Sequence, residues 1–331
     1  MRVLVTGGAG YVGSVSVEAL VKAGHTPVVL DDCSTGHAAA VPAGVVHLRQ
    51  DYADEATTAA ALRDHGIEAI LHCAARSLVG ESMREPSRYY RQNVAGGIGL
   101  IEAARAAGVE RFVFSSTAAV YGVPDSTPIP EDAPLRPINP YGETKRTFEG
   151  ALRWYGQAYG LRSISLRYFN VAGATEAYGE DHANETHLIP NVLAAAETGN
   201  DLTMYGDDYP TPDGTPIRDY IDVRDLADAH IRALEATGRP GAETTQVFNL
   251  GRSTGVSVRE VIAAAEGVVG HTIPITVGPR REGDPPILVA TSARARETLG
   301  WTPRYAALEE MVGSAWEWRR RNPNGYATNA R

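Results

Sequence analysis

Short runs of apolar and β-branched residues recur along the first half of the chain, separated by longer alanine-rich stretches. The runs cover residues 2–6, 27–30, 45–48, 69–71 and 112–114. Between them, apolar residues recur at helical spacing over residues 12–23, 54–64 and 93–107. Strands that alternate with helices are typical of a parallel sheet covered on both faces. The pattern predicts an α/β fold with a doubly wound parallel sheet, to which runs at 163–168 and 246–250 add further strands.

The composition changes after about residue 170. Residues 175–218 are rich in turn formers, including DDYPTPDGTP, and regular alternation returns only near residues 220–222. We therefore expect a larger domain over residues 1–170, to which residues 219–250 return, and a smaller C-terminal α/β domain over residues 171–331. Helical spacing over residues 306–320 predicts a closing surface helix.

Composition and charge narrow the class of protein. The 331 residues carry 31 Lys and Arg against 40 Asp and Glu, a net charge of −9, and 43% of them are hydrophobic. The hydrophobic fraction is too high for a disordered chain, and no apolar run reaches the roughly 18 residues of a membrane helix. The acidic balance disfavours nucleic acid or a membrane as partner but permits a local basic pocket. Cys33 and Cys73 are isolated, so we expect two free thiols and a cytoplasmic location.

The segment VLVTGGAGYVGS places glycines between the first strand and the first helix. Gly7 and Gly10 permit a tight turn in which backbone N–H groups and the helix N-terminus meet a pyrophosphate. Asp31 and Asp32 end the next strand about 20 residues later, where a carboxylate binds ribose hydroxyls and repels a 2′-phosphate. The pattern favours NAD over NADP. The alternative is a glycine turn that merely packs helix against strand.

The segment NPYGETK places Tyr141 and Lys145 four residues apart, on one face of a predicted helix that begins near Pro140. A neighbouring ammonium favours the phenolate, so Tyr141 becomes a usable base. FSSTAAVYG places the hydroxyls of residues 115–117 at the carboxyl end of a strand, where doubly wound sheets bind ligands. In this setting the pair is interpreted as catalytic. Alone, it would be an exposed helix pair.

With these residues the chain resembles the extended short-chain dehydrogenase/reductase family and, along nearly its whole length, the UDP-glucose (UDP-galactose) 4-epimerases within it. The resembling segments are GGAGYVGS, DDCSTGH, VGES, FSSTAAVYG, NPYGETK, LRYFNVAG, GDDYPTPDGTPIRDYIDVRDLADAH, NLG and PRREGD. The resemblance implies a Rossmann domain that binds NAD, a smaller domain that binds the nucleotide sugar, and inversion of the C4 hydroxyl of a UDP-hexose through a 4-keto intermediate. It also implies a homodimer formed through helices near residues 93–107 and 141–159.

The resemblance assigns roles to individual residues. Tyr141 takes and returns the proton of the 4-hydroxyl, Lys145 holds the nicotinamide ribose and lowers the pKa of Tyr141, and Thr117 hydrogen-bonds the reacting oxygen. The cofactor set, besides Tyr141 and Lys145, is Gly7, Gly10, Tyr11, Val12, Asp31, Asp32, Cys33, Ser34, Thr35, Gly36, Asp51, Tyr52, Cys73, Ala74, Ala75, Ser77, Asn93, Ser115 and Phe169. At Ser77 epimerases of this type often carry a Lys that helps to hold NAD, so weaker retention is expected.

The substrate set consists of Thr117, Tyr141, Asn170, His187, Leu188, Thr203, Met204, Tyr205, Arg218, Tyr220, Arg281, Asp284 and Leu288. Arg218 and Arg281 supply the local basic pocket, because guanidinium forks match phosphate oxygens. The alternative is surface pairing with Asp219 and Glu282. No metal is expected at His182 and His187, because their loop lacks a known ligand spacing and the resemblance explains His187 without metal.

Leu288 stands where epimerases restricted to UDP-glucose and UDP-galactose tend to carry a bulky Tyr. The smaller side chain leaves space, so we expect UDP-GalNAc and UDP-GlcNAc to be accepted as well.

Other nucleotide-sugar enzymes of this fold are the nearest alternatives. A 4,6-dehydratase or a uronate decarboxylase needs an added carboxylate after the strand-end threonine, whereas here Ala118 and Ala119 follow Thr117. A 4-epimerase of a UDP-pentose or a UDP-uronate stays open. A non-catalytic NAD-binding protein would predict the loss of Tyr141 or Lys145, and both are present.

Overall fold

Seven parallel strands form the central sheet of the computed structural model, which describes residues 1–281 and 284–326. In chain order the strands are β1 (Arg2–Thr6), β2 (Thr26–Leu30), β3 (Val46–Leu48), β4 (Ala69–His72), β5 (Arg111–Thr117), β6 (Arg162–Tyr168), β7 (Asn170–Ala172), β8 (Leu202–Tyr205), β9 (Ile217–Asp222), β10 (Thr245–Leu250), β11 (Gly255–Ser257), β12 (Ile275–Gly278) and β13 (Ile287–Leu288). The central sheet has the order β3-β2-β1-β4-β5-β6-β10. This is the order of a doubly wound Rossmann sheet, and it confirms the predicted fold class.

Some helices cover the two faces of this sheet, and others pack around a separate core beside it. The helices are α1 (Tyr11–Lys22), α2 (Glu55–Asp64), α3 (Val79–Arg84), α4 (Pro86–Tyr89), α5 (Gly97–Ala107), α6 (Pro140–Tyr159), α7 (Leu188–Thr198), α8 (Val223–Ala236), α9 (Val258–Val269), α10 (Ala293–Leu299) and α11 (Leu308–Arg321), and a π-helical turn over Tyr90–Gly96 joins α4 to α5. Alternate residues of β1 face opposite cores, as the two-residue period of a strand requires. Val3 and Val5 pack towards α1 and α8, whereas Leu4 packs towards α2, α5 and α6.

The structure differs from the sequence prediction in two places: the end of β5 and the region 175–218. β5 continues to Thr117 rather than ending at residue 114, because the side chains of Ser115 and Ser116 are buried and satisfied by hydrogen bonds. The region 175–218, expected to be mainly loops, contains α7 and β8. Helix α7 forms because Ile189, Val192 and Leu193 share one face and enter a hydrophobic core.

A second sheet follows β6 after a single residue. Strand β7 pairs with β9, which also pairs with β11 and β13, while β8 and β12 form a separate two-stranded sheet. The predicted return segment, 219–250, therefore begins inside β9 of the second sheet and reaches the central sheet through α8 and β10. The predicted domain limits stay a prediction.

Within residues 1–281 and 284–326, no helix has both the length and the apolar character needed to cross a membrane. Cys33 and Cys73 are both free thiols, as predicted.

Candidate active site

The turn between β1 and α1 is shaped by glycines. Gly7 has φ +74°, a left-handed conformation, and its N–H donates to the Leu30 carbonyl at 3.0 Å. A Cβ on Gly13 would overlap the Gly7 carbonyl oxygen, so glycine here lets the helix approach the strand closely. Gly10 forms the N-cap of α1 without a capping side chain. The first turn of α1 thus presents backbone donors at the carboxyl edge of the sheet, which suits a pyrophosphate.

Asp31 and Asp32 differ in their surroundings. The carboxylate of Asp31 accepts hydrogen bonds from the N–H groups of Ala9 at 3.0 Å and Cys33 at 2.8 Å, and burial raises its pKa. It therefore links the end of β2 to the glycine turn. Asp32 is exposed and accepts from the Ser34 N–H at 2.9 Å. The predicted run from Asp31 to Gly36 folds back over this turn, where a Cβ on Gly36 would crowd the Ala9 carbonyl.

The ends of β3 and β4 bring the next predicted residues to the same edge. The N–H groups of Cys73 and Ala74 both donate to the Thr6 carbonyl, at 3.0 and 3.1 Å. Asp51 is exposed, whereas Tyr52 is buried and donates its hydroxyl to the Gln92 carbonyl at 2.8 Å. These contacts place residues 73–74 against the glycine turn, whereas residues 51–52 are held by Gln92.

Asn93 holds the loop that follows β4. Its Oδ1 accepts from the Arg76 N–H at 2.8 Å, and its Nδ2 donates to the Arg76 carbonyl at 3.0 Å and to Thr144 Oγ1 at 3.1 Å. The Asn93 side chain is therefore occupied by protein groups and fixes the backbone of Arg76, next to the exposed Ser77. Its direct contact with the cofactor stays a prediction.

Three of the remaining predicted cofactor residues turn their side chains towards protein. The Tyr11 hydroxyl donates to the Gly173 carbonyl at 2.5 Å, and Val12 packs against two hydrophobic clusters. Ser115 Oγ lies 2.9 Å from Nε2 of the buried His230. The side chains of Ser34 and Thr35 are exposed, while Ala75 is partly exposed.

Lys145 is buried one helical turn beyond Tyr141 on α6. Asn139 caps the helix by accepting from the Gly142 N–H at 2.8 Å, and Pro140 occupies the first turn, so the helix starts where Tyr141 is needed. The Lys145 ammonium donates to the Ser115 carbonyl at 2.8 Å and lies 5.9 Å from the centre of the Tyr141 ring. Burial lowers the pKa of Lys145 to about 8, against the opposing effects of Cys73 and Glu149.

The predicted lowering of the Tyr141 pKa by Lys145 stays a prediction. Burial raises the pKa of the Tyr141 hydroxyl above its usual value, and only a hydrogen bond with Thr117 acts in the other direction. The ammonium of Lys145 is bound to the Ser115 carbonyl and lies 5.9 Å from the centre of the Tyr141 ring. The predicted hydrogen bond of Thr117 to the reacting oxygen stays a prediction.

A buried ion pair behind Lys145 was not anticipated. Glu149 Oε2 lies 2.6 Å from Arg167 Nη2, and Glu149 Oε1 accepts from Ser116 Oγ at 2.5 Å. Arg167 also donates to the Tyr121 hydroxyl at 2.8 Å, so the pair joins α6 to β5 and β6. The sequence carried one signal: Glu149 follows Lys145 by four residues on the same helix face.

Apart from Thr117 and Tyr141, the predicted substrate residues lie on the second sheet, on the two-stranded sheet, at the start of α7 and in the loop between β12 and β13. Arg218, on β9, is paired with Asp284 at 2.5 Å rather than with the neighbouring Asp219, which accepts backbone N–H groups instead. The Arg281 guanidinium lies 4.4 Å from the centre of the exposed Tyr205 ring. A cavity of about 500 Å³ lies against Arg281 and Asp284. The alternative partner of Arg281, Glu282, lies outside the described residues.

Strand alternation separates Met204 from its neighbours. Thr203 and Tyr205 are exposed, whereas Met204 is 2% exposed and belongs to a hydrophobic core, so its side chain is not available to a ligand. Tyr220 is buried and lies opposite Asn170 in the β7–β9 pair. Leu288 pairs in register with Arg218 and packs in one cluster with Phe169.

His187 forms the N-cap of α7, directly before Leu188. Its Nδ1 lies 2.7 Å from Glu180 Oε1 and 3.0 Å from Glu185 Oε1. Hydrogen bonds with these carboxylates raise the pKa of His187 to about 10, although burial acts in the opposite direction. Asp181, by contrast, faces His37 at 3.5 Å.

Comparison with known families identifies the arrangement. A family model described as the NAD dependent epimerase/dehydratase family matches residues 3–251. The chain belongs to this family. Among curated members, the UDP-glucose 4-epimerase of Lactobacillus helveticus is 49% identical over 98% of this chain and 99% of its own. The family assignment and the isomerase class predicted from the sequence are thus confirmed, and NAD is the cofactor for which the family is described.

Solved structures of the NAD dependent epimerase/dehydratase family agree with the fold. A crystal structure of a UDP-glucose 4-epimerase has a TM-score of 0.95 and 46% identity, over 98% of this chain and 99% of its own. That of the Brucella ovis UDP-glucose 4-epimerase in complex with NAD has a TM-score of 0.91 and 43% identity, over 95% and 97% of the two chains.

Proposed function

We propose that the protein inverts C4 of a UDP-hexose, interconverting UDP-galactose and UDP-glucose with NAD as a resident cofactor. The observation that carries this proposal is the placement of Tyr141 and Lys145 on α6 beside Thr117, at the sheet edge that also holds the glycine turn. Ala118 and Ala119 follow Thr117 in a short 3₁₀ turn. A carboxylate for elimination or decarboxylation is missing at that point, so redox-neutral inversion is favoured.

The glycine turn fits NAD. Bound there, NAD would supply a reversible hydride acceptor for C4 of the sugar. The first turn of α1 offers N–H groups to the pyrophosphate, and the exposed carboxylate of Asp32 is free to accept ribose hydroxyls. Asp31 organises this site through its hydrogen bonds from Ala9 and Cys33, and Asn93 holds the backbone of Arg76 in the loop after β4.

Tyr141 holds the proton that moves. Its phenolate takes the proton from the sugar 4-hydroxyl, and the resulting phenol later returns it to the 4-keto oxygen, while Thr117 orients the same oxygen. Because burial raises the pKa of Tyr141, the phenolate needs additional positive charge in the complete site. Lys145, fixed by the Ser115 carbonyl, is placed to bind the nicotinamide ribose and to supply part of that charge.

The nucleotide sugar is proposed to lie between α7 and β9. Arg218 is 13% exposed at its side chain and Arg281 is exposed, so both guanidiniums are accessible to diphosphate oxygens. A diphosphate would compete with Asp284 for Arg218. Asn170 and His187 approach the same region from β7 and the start of α7.

Leu288 is proposed to set the range of sugars. It packs beside Phe169 and occupies less volume than a tyrosine, which leaves space next to the sugar for an N-acetyl group. Leu288→Tyr should therefore reduce turnover of UDP-GalNAc by about tenfold or more relative to UDP-galactose. Equal reduction for both substrates, or turnover of UDP-GalNAc no faster than background by the unmodified protein, would contradict this role.

The direct test of the function is product analysis. The purified protein is incubated with UDP-galactose, and separately with UDP-GalNAc, without added reductant, and the products are separated by chromatography. UDP-glucose from the first incubation is the expected result. Turnover of a UDP-pentose or a UDP-uronate, with UDP-galactose unchanged, would instead assign a different 4-epimerase.

We also propose a homodimer formed through α5 and α6 and a cytoplasmic location. Trp154 and Tyr159 on α6 are 62% and 58% exposed, and Ile98 on α5 is 36% exposed, an apolar surface that a second copy would cover. The two free thiols suit a reducing compartment. Light scattering coupled to gel filtration measures the assembly, and a monomer at micromolar concentration would contradict it.

A further inference from the structure

Four side chains of one loop converge directly before helix α7. Glu180, His182, Glu185 and His187 each offer one ligand atom, and these four atoms lie within 4.8 Å of one another. His182 Nδ1 lies 3.3 Å from Glu180 and 3.2 Å from Glu185, and His187 Nδ1 lies 2.7 Å from Glu180 and 3.0 Å from Glu185. We call these residues the 180–187 cluster.

We propose that the 180–187 cluster binds one divalent transition-metal cation of the zinc class in tetrahedral coordination. A tetrahedral site with metal–ligand distances of about 2.0–2.1 Å has ligand-to-ligand edges of about 3.3 Å. With Glu180 Oε1, Glu185 Oε1 and the two Nδ1 atoms as ligands, three edges measure 2.7–3.3 Å, and all four ligand atoms lie within 4.8 Å of one another, so an ion needs only small adjustments to fit. Two imidazoles and two carboxylates are ligands that zinc accepts, and the carboxylates balance its charge.

The ligands are already oriented by the surrounding protein. The N–H groups of Thr186 and His187 both donate to Glu185 Oε1 at 2.7 Å, which fixes that carboxylate. The chain just before Glu180 is held by Tyr326, whose hydroxyl donates to the Gly179 carbonyl at 3.1 Å. Side-chain exposure of 33% for His182 and 53% for His187 leaves a path from solvent.

The competing explanation is a cluster of ion pairs in which both imidazoles carry a proton on Nδ1. Each Nδ1 then donates to the carboxylates, whereas the metal takes the place of both protons. The two explanations share the observed distances and differ in whether the cluster takes up a cation stoichiometrically.

A bound cation would connect the loop to the first turn of α7. His187 is the N-cap of this helix, and Ile189 two residues later enters the core of the second sheet. The ion would therefore stabilise the part of the protein that carries the proposed substrate residues. Its binding does not depend on the proposed function.

The experiment uses the full chain without an affinity tag, treated with a chelator and then desalted. Titration with Zn²⁺ is followed by calorimetry and titration with Co²⁺ by visible absorption. We expect one equivalent of either metal, an intense tetrahedral Co²⁺ spectrum, and a higher melting temperature in Zn²⁺. His182→Gln and Glu180→Gln should each weaken binding by at least about tenfold.

His271→Gln is the matched control, because His271 is exposed and lies outside the cluster. It should leave metal binding unchanged. The proposal is overturned if the parent protein shows no saturable binding, or if the Co²⁺ spectrum is octahedral. Binding that both cluster variants retain would overturn it as well. Circular dichroism shows whether the variants fold. If they do not fold, the stoichiometry of metal binding and the Co²⁺ absorption spectrum of the parent protein decide whether the cluster binds the metal.

Discussion

The two sides of the proposed cleft hold their polar side chains by different means. At the edge of the central sheet, Lys145 and Asn93 are buried and bound to backbone groups of neighbouring strands and loops. On the other side, Arg218 of the second sheet pairs with the Asp284 carboxylate and donates to the Ile217 carbonyl at 2.8 Å, while the exposed Arg281 lies against the Tyr205 ring. The first arrangement fixes atoms for a chemical step, and the second leaves charges that a ligand can take over. We therefore expect variants of the first region to lower kcat and variants of the second to raise KM.

Tyr141→Phe should have the largest effect, because it removes the group that exchanges the proton. Loss of general acid–base catalysis predicts a fall in kcat of about 10³-fold or more, with UDP binding retained. Steady-state kinetics and calorimetric titration with UDP measure the two quantities. The control is Tyr159→Phe on the same helix, where the hydroxyl is removed from an exposed ring. Full activity of Tyr141→Phe would contradict the catalytic assignment.

Glu149→Gln should have the next largest effect, on stability. It leaves the buried Arg167 guanidinium without its carboxylate, which predicts a loss of about 3–5 kcal/mol in the free energy of unfolding. Glu143→Gln is the matched control, because Glu143 lies on the same helix and pairs at the surface with Arg146. Denaturant unfolding measures the free energy of unfolding of the parent and both variants. Equal stability of the two variants would show that the buried pair does not anchor α6.

Lys145→Met separates function from stability. We expect kcat to fall by about 100-fold or more, without a lower melting temperature at pH 7, because burial of the ammonium opposes folding. The pKa of Lys145 is about 8 when folded against 10.5 as the ordinary value, so the unfolded state binds more protons between these pH values. The stability of the parent relative to Lys145→Met should therefore rise with pH over that window. A stability difference that is flat or falls there would contradict the buried ammonium.

Arg218→Met should have the smallest effect of the four variants, and it should change KM rather than kcat. Loss of a charged hydrogen bond to phosphate predicts a KM for UDP-galactose raised about 10-fold to 100-fold, with kcat changed by less than about threefold. Arg136→Met removes an arginine that is 62% exposed and pairs with Asp125 on the surface, and it should change neither constant. A fall in kcat for Arg218→Met at unchanged KM would remove the contrast between the two regions.

The chemical edge of the site was predictable because its signals are local. The glycine turn, the strand-end Thr117 and the four-residue spacing of Tyr141 and Lys145 each lie within one short segment. The partners that hold them are distant in sequence: Glu149 meets Arg167, and Arg218 meets Asp284 after a gap of 66 residues. Such pairs follow from strand order and register, which one sequence does not specify.

Burial explains the pKa direction of Tyr141 and the position of the Met204 side chain. The raised pKa of Tyr141 results from desolvation by surrounding protein, which spacing along a helix does not reveal. Met204 shows the converse, because alternation along LTMY already indicates that its side chain faces away from Thr203 and Tyr205. The resemblance named Met204 as a contact, whereas the strand period predicts its place in the core.

The most direct test of the account is an isotope experiment with UDP-galactose deuterated at C4, incubated with the protein and no added cofactor or reductant. If Tyr141 moves only the hydroxyl proton and the hydride returns to the same carbon, the UDP-glucose formed keeps deuterium at C4. Mass spectrometry and proton NMR measure the retained label, and we expect full retention. Exchange of the C4 deuterium for solvent hydrogen during conversion would contradict the proposed inversion through a 4-keto sugar.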